Sequence, residues 1–343
     1  MKKYLTLYNT VKSEIESGIY KAGQKLPSKR VMADITGFSE ITVMTAYSML
    51  ESEGYVETRE RSGYFVNKIE KKGSSPLAIN KLEEPKTNGE DNEFEYSLWI
   101  KTIRKVLQEK PSELFIKAPT EGCAVLRNAI SDYLLRYRGM VAPPDRIIIG
   151  SGSEQLYEIA VKILGKDKVY AIEAPSYKQI ERVYNEQGVS VVKLKMGSDG
   201  IESKELKGNK FDVLHVTPFS SFPSGVTASY KKRKEYLSII DNGYIVEDDF
   251  SSEFFPPGKP IRSLYGMGDG NKVVYINTFS KSLSPAMRIG YMIIPEPLIN
   301  IYKDKLKGFS CSVPVLEQYV LAEFIASGSF ERHLNRVRRK MNK

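Results

Sequence analysis

The chain has 343 residues, 41% hydrophobic and 27% charged, with 51 Lys+Arg against 42 Asp+Glu and a net charge of +9. This composition excludes a disordered or collagen-like chain, and no segment approaches the ~20 apolar residues that cross a bilayer. Two distant cysteines, Cys123 and Cys311, offer neither a disulfide framework nor a metal cluster, and a cytoplasmic protein of two or three domains with no membrane partner is expected. Met1 to Leu5 is basic but leads into charged residues, unlike a signal peptide.

In chain order, Tyr4 to Ser17 carries Leu5, Tyr8, Val11 and Ile15 at helical spacing. Ser28 is an expected N-cap for a short helix, Lys29 to Thr36, ended by Gly37. Ser39 is a second N-cap, after which Val43, Ala46, Tyr47 and Leu50 form one apolar face that Gly54 terminates. Tyr55 to Thr58 and Tyr64 to Val66 then flank Arg59-Glu60-Arg61-Ser62-Gly63, a hairpin with a basic tip. Residues 69–95 are dominated by Lys, Glu, Gly, Ser, Pro and Asn and read as a linker between a domain at 1–68 and another at 96–343.

Beyond the linker, strand patterns at 146–150, 168–172, 189–194, 211–216, 243–247, 273–277 and 289–294 alternate with helical patterns at 154–164, 177–187 and 230–241. That alternation predicts an α/β domain with a mostly parallel sheet covered on both faces.

Two short helices and a hairpin make the pattern of a winged helix-turn-helix, whose second helix suits a major groove. Thr42 and Thr45 would face away from Val43 and Ala46, and the 59–63 tip could reach phosphates. Shape alone also fits a small domain that binds another protein. The wording favours DNA. Leu26-Pro27-Ser28-Lys29-Arg30, Thr42-Val43 with Ala46-Tyr47, Glu53-Gly54-Tyr55 and Ser62-Gly63 resemble the GntR-type DNA-binding domain. The resemblance implies DNA contacts from Lys29, Arg30, Ser39, Thr42, Thr45, Arg59, Arg61 and Gly63. Glu40 stands where that family usually has arginine; a carboxylate there repels phosphate or accepts from a cytosine amino group.

In the second domain, Asn277-Thr278-Phe279-Ser280-Lys281 follows a strand, with Arg288 seven positions on. A pyridoxal phosphate site needs a lysine amine for a Schiff base, and hydroxyls and a guanidinium for the phosphate. Gly150-Ser151-Gly152-Ser153 joins a strand to a helix, where backbone N–H groups attract an anion. Asp248 and Asp249 end another strand, where either could keep a pyridine nitrogen protonated. Tyr177 follows Ala174-Pro175-Ser176 and could stack on a ring. Singly, each has a plainer reading: a surface lysine, solvent-facing carboxylates, a core tyrosine.

Together these segments resemble class I aminotransferases of fold type I, and the whole chain resembles the MocR-type (GabR-like) subgroup of GntR regulators. The resemblance implies that Lys281 forms the Schiff base, and that Arg288 with Thr278 or Ser280 holds phosphate beside Gly152 and Ser153. It further implies Asp248 at the pyridine nitrogen, Tyr177 on the ring face, a homodimer on operator DNA, and an amine, amino acid or pyridoxal phosphate as the small-molecule effector. Three departures weigh against efficient transamination. Phe250 and Ser220-Ser221 replace the family's tyrosine and His-Gln, and the chain stops at Lys343, before the small C-terminal domain whose arginine binds a substrate carboxylate. A shortened member, a truncated reading frame or a fragment would each account for the last. The alternative is an active aminotransferase with an accessory DNA-binding head.

Residues 1–69 hold ten basic and eight acidic side chains, a net of +2, whereas 328–343 hold six basic and one acidic, a net of +5. The charge of +9 therefore says little about DNA.

Overall fold

A computed structural model describes residues 3–59, 62–68, 94, 96–240, 242–254, 262–268 and 270–341. The expected linker at 69–95 lies almost wholly outside the described residues. The chain forms two compact units, Met1–Thr87 and Asn88–Lys343.

In the first unit, α1 (Lys3–Ser17), α2 (Lys29–Thr36) and α3 (Glu40–Ser52) precede the hairpin of β1 (Val56–Arg59) and β2 (Gly63–Val66). The buried stripe of α1 is Leu7, Tyr8, Val11 and Ile15; Leu5, expected there, is only half-buried because Leu7 holds the i, i+4, i+8 register. The Ser28 hydroxyl accepts from the Val31 N–H at 3.3 Å, and Gly37 closes α2 at φ 69°, ψ 18°. The Ser39 hydroxyl caps α3 by accepting from the Thr42 N–H at 3.3 Å. Val43, Ala46, Tyr47 and Leu50 of α3 are fully buried. Arg59 pairs with Gly63 across the hairpin, and Glu60 and Arg61 lie outside the described residues.

The second unit opens with α4 (Tyr96–Glu109) and α5 (Ala124–Tyr133). Then β3 (Ile147–Gly150), α6 (Ser153–Leu164), β4 (Val169–Ala174), α7 (Lys178–Glu186), β5 (Ser190–Gly197), β6 (Gly200–Ile201), α8 (Ser203–Gly208) and β7 (Val213–Val216) alternate. They are followed by α9 (Tyr230–Ile239), β8 (Tyr244–Asp248), α10 (Leu264–Met267), β9 (Val273–Thr278), α11 (Phe279–Ser282) and β10 (Gly290–Ile293). The helices α12 (Ile299–Lys305), α13 (Val315–Ala326) and α14 (Ser329–Met341) complete the order.

Among the described residues the sheet has eight strands in the order β3-β10-β9-β8-β7-β4-β5-β6. Neighbours from β9 through β5 are parallel, and β10 runs against both β3 and β9. The sheet is mostly parallel, as the alternation predicts. Alternate strand residues feed two cores. Ile147, Ile149, Val273 and Tyr275 pack with Leu126, Tyr236, Leu321 and Leu334 on one face. Ile148, Val274 and Ile276 pack with Leu156, Ile180 and Tyr302 on the other. This is the two-residue period of a strand buried on both sides. Connections leave β4 for β5 in one direction and return for β7 in the other, so the β4/β7 boundary is a switch point, where a crevice opens at the carboxyl ends of strands.

Candidate functional site

The carboxyl ends of β3, β4, β7, β8 and β9 deliver their side chains to that crevice. It is a cavity of about 350 Å³ lined by Ser153, Tyr157, Tyr177, Thr217, Phe222, Asp248, Phe250, Thr278, Ser280, Lys281 and Arg288. Seven of the residues expected from the sequence thus line one space: Ser153, Tyr177, Asp248, Thr278, Ser280, Lys281 and Arg288. The eighth, Gly152, borders it through Arg288.

Gly152 adopts φ 88°, ψ 177° immediately before α6. A Cβ there would lie 3.0 Å from Arg288 Nη2. Only glycine lets the guanidinium approach this backbone. The first-turn N–H groups of α6 have no partner within the helix and form its positive end. Arg288 pairs with Glu154 at 3.3 Å and stays largely exposed, so its guanidinium is available to an anion. The Ser280 hydroxyl donates to the Met287 carbonyl at 3.1 Å, which leaves its lone pairs rather than its proton.

Asp248 and Asp249, equivalent by spacing, are separated by the strand alternation. Asp248 lines the cavity, where its Oδ2 accepts from the Tyr157 hydroxyl, while its buried Oδ1 has no hydrogen-bond partner. Burial pushes the Asp248 carboxyl up to about 7, against the Tyr157 hydrogen bond that lowers it. Asp249 points into the opposite core, accepting from Arg138 at 2.9 Å and from the Tyr275 hydroxyl at 2.8 Å. Edge-on packing of Tyr157 against the His215 ring, centroids 5.1 Å apart, fixes the phenol. Burial drives the His215 imidazole down to about 3, so it is neutral at physiological pH.

The Lys281 amine lies 4.7 Å from the Phe250 ring centroid and 5.6 Å from that of Phe254. Desolvation lowers its pKa from the usual lysine range, opposed by the Glu253 carboxylate. An amine so placed is closer to its nucleophilic form. Tyr177, 39% exposed, stands at the entrance with its ring centroid 6.3 Å from that of Phe222. Behind them, Glu173 is buried, its Oε1 accepting from the Thr217 N–H at 3.1 Å and its Oε2 from the Ser221 hydroxyl. Ser221 thus supports the wall rather than lining the cavity.

Sequence reasoning missed Tyr157 as a site residue. Its position four residues after Ser153 puts it on the same face of α6, a signal that helical spacing could have supplied.

In the first unit, Arg30 is exposed, and the Lys29 ammonium lies 5.8 Å from the Tyr64 ring centroid. Thr42 and Thr45 are the expected DNA contacts of α3. Both are half-buried and their hydroxyls are engaged locally, that of Thr42 with the Ser39 hydroxyl at 2.9 Å and that of Thr45 donating to the Ile41 carbonyl at 2.9 Å. Arg59 pairs with Glu57 at 2.7 Å and stacks 4.3 Å from the Phe65 centroid. Gly63, at φ 109°, permits the turn. Arg61 lies outside the described residues.

A winged-helix unit ahead of a fold-type-I aminotransferase-like unit defines a transcriptional regulator that reads DNA with one half and carries an enzyme fold in the other. Residues 3–66 match the model for bacterial regulatory proteins of the gntR family, and residues 85–343 that for class I and II aminotransferases. The HTH-type transcriptional regulator YdeL of Bacillus subtilis is 31% identical, over 99% of this chain and 77% of its own length. The probable rhizopine catabolism regulatory protein MocR of Rhizobium meliloti is 28% identical, over 97% of this chain and 73% of its own. A Pyrococcus horikoshii kynurenine aminotransferase, solved in complex with PMP, is 25% identical, with a TM-score of 0.65 over 72% of this chain. This chain spans 64% of that solved chain, under two thirds of its length. The chain belongs to the MocR-type subgroup of GntR-family regulators, helix-turn-helix proteins fused to an aminotransferase class I and II domain.

Proposed function

We propose that this regulator binds operator DNA as a homodimer through residues 1–68, joined by a linker at 69–95 to a pyridoxal 5'-phosphate domain at 96–343. The effector would be an amine, an amino acid or pyridoxal phosphate itself. The observation that carries this reading is the convergence of Lys281, Asp248, Tyr177 and Arg288 from four strand ends on one 350 Å³ cavity.

The residues fit the group on two counts. Asp248 Oδ1 is buried without a partner at the cavity wall. The space beside Gly152 that a Cβ would fill adjoins the Arg288 guanidinium. When bound, pyridoxal phosphate supplies an aldehyde that amines attack and a ring that accepts electrons once its nitrogen is protonated. Lys281 presents the amine, and Asp248 holds a proton or a negative charge at its free oxygen. The Tyr157 hydroxyl orients that carboxyl. Tyr177 would cover a ring face, while the Phe250 ring packs beside the lysine amine. Arg288, Ser153, Thr278 and the first-turn amide groups of α6 would take the phosphate, whereas Ser280 has already given its proton to the Met287 carbonyl.

The test is borohydride fixation of added pyridoxal phosphate, read as a mass gain on the peptide containing Lys281, with Lys281→Ala as control. Failure to label the wild-type chain overturns cofactor binding. A gel-shift assay of the upstream region, with and without amines, tests the regulatory half; Arg30→Ala should weaken binding, and unchanged affinity removes Arg30 from the interface.

The lowered pKa of Lys281 favours a second reading, an active aminotransferase with an accessory head. Single-turnover conversion of an amino acid to its oxoacid would establish it.

A further inference from the structure

The recognition helix lacks every side chain that makes a bidentate base contact. Residues 39–52 read SEITVMTAYSMLES, without arginine, lysine, asparagine or glutamine. Guanine is ordinarily read through arginine or lysine and adenine through asparagine or glutamine. The hydroxyls of Thr42 and Thr45 are engaged with Ser39 and with the Ile41 carbonyl. Beside the exposed Ser39 and Glu40, the side chains that α3 exposes in its first turns, the part that meets base edges in a helix-turn-helix, are the apolar Ile41, 72% exposed, and Met44, 43% exposed. Val43, Ala46, Tyr47 and Leu50 occupy the opposite face and are fully buried, so Ile41 and Met44 are surplus to the core of this unit. An exposed isoleucine flanked by the acidic Glu40 is a poor phosphate contact but complementary to the C5-methyl of thymine, the one apolar group in the major groove.

Resting on the DNA-binding reading of this unit, we infer that Ile41 and Met44 are specificity-determining residues that read thymine methyl groups. The occupant of this apolar face is a thymine-bearing half-site. Phosphate contacts such as Arg30 on the neighbouring helix set the register without carrying sequence information. Affinity for the correct site then exceeds that for a wrong one mainly through methyl burial, and depends less on salt than it would with an arginine reader.

The experiment begins with selection of preferred duplexes from a random pool by the purified full-length chain. Fluorescence anisotropy at fixed salt then compares each selected site with the same site carrying deoxyuridine in place of thymine, which removes only the methyl. The expected result is thymine in each half-site and a loss of about fourfold per deleted contacting methyl, the effect of withdrawing one methylene-sized group from burial. Ile41→Ala, which alters an exposed position, should abolish the discrimination at one thymine and Met44→Ala at another. Sequence-specific binding with equal affinity for thymine and deoxyuridine sites overturns the inference while leaving DNA binding intact. Binding to no duplex overturns both. A dimer that dissociates on Ile41→Ala, with no thymine preference in the wild type, also overturns it and assigns the face to a second copy of the chain.

Discussion

Replacing Gly152 by alanine tests the phosphate cradle most directly. The backbone at this residue has φ 88° and ψ 177°, a combination populated almost only by glycine. Forcing an L side chain into it costs about 1–3 kcal/mol. The added Cβ would also stand 3.0 Å from Arg288 Nη2 and 3.1 Å from its Cζ. Among the described residues Arg288 is held by the 3.3 Å contact with Glu154 alone, so the guanidinium gives way rather than the backbone. The substitution therefore acts twice, straining the start of α6 and displacing the cation beside it. Urea denaturation should show the destabilisation. Spectroscopic titration with pyridoxal phosphate should show affinity reduced about fivefold or more, the equivalent of 1 kcal/mol. Gly188→Ala is the matched control, because that residue also has a positive φ, of 73°, but no heavy atom within 4 Å of the added carbon. It should lose stability and keep cofactor affinity. Wild-type affinity in Gly152→Ala would refute the assignment of the cradle, and wild-type stability would refute the backbone argument.

Three other expectations follow from the buried polar groups. Tyr157→Phe leaves both Asp248 oxygens without a donor, which should cost about 1–3 kcal/mol and raise the carboxyl further above its present value near 7. Denaturation together with the pH profile of the bound cofactor's absorbance would show it, and no change in either would remove Tyr157 from the site. Burial raises Glu173 to about 8, so the folded state retains a proton there that the unfolded chain releases near pH 4–5; stability should fall as pH rises from about 5 to above 8. Glu173→Gln, whose amide can serve the Thr217 N–H and the Ser221 hydroxyl, should flatten that slope, and an identical slope would contradict the assignment. Arg138→Ala removes the charged partner of the fully buried Asp249, leaving it the Tyr275 hydroxyl, and should cost about 3–5 kcal/mol in denaturation experiments; a loss below ~1 kcal/mol would show that the pair is not desolvated as described.

Sequence alone determined whatever depends on local chemistry and on period. The caps Ser28 and Ser39, the stop at Gly37 and the buried face of α3 are set within a few residues by hydrogen-bonding geometry. The strand runs announced themselves because a parallel sheet covered on both sides requires unbroken apolar segments. The order of Gly152, Tyr177, Asp248, Lys281 and Arg288 along the chain was enough to suggest a shared site, since strand ends in such a sheet meet along one edge.

Only the tertiary structure decided what depends on neighbours distant in sequence. Spacing could not choose between Asp248 and Asp249, whereas the pleat sends one to the cavity and the other to Arg138, 111 residues away. Tyr157 reads as an ordinary apolar position of α6 until β8 brings Asp248 to its hydroxyl across 91 residues. Ser221, one of the two serines in place of His-Gln, proved to have Glu173 on another strand as its partner. Even in the head, the spacing that offered Thr42 and Thr45 as DNA contacts did not reveal that their hydroxyls were already engaged. The physical reason is common to all four: a side chain's direction follows from its own backbone, but its chemistry follows from the groups that packing sets against it.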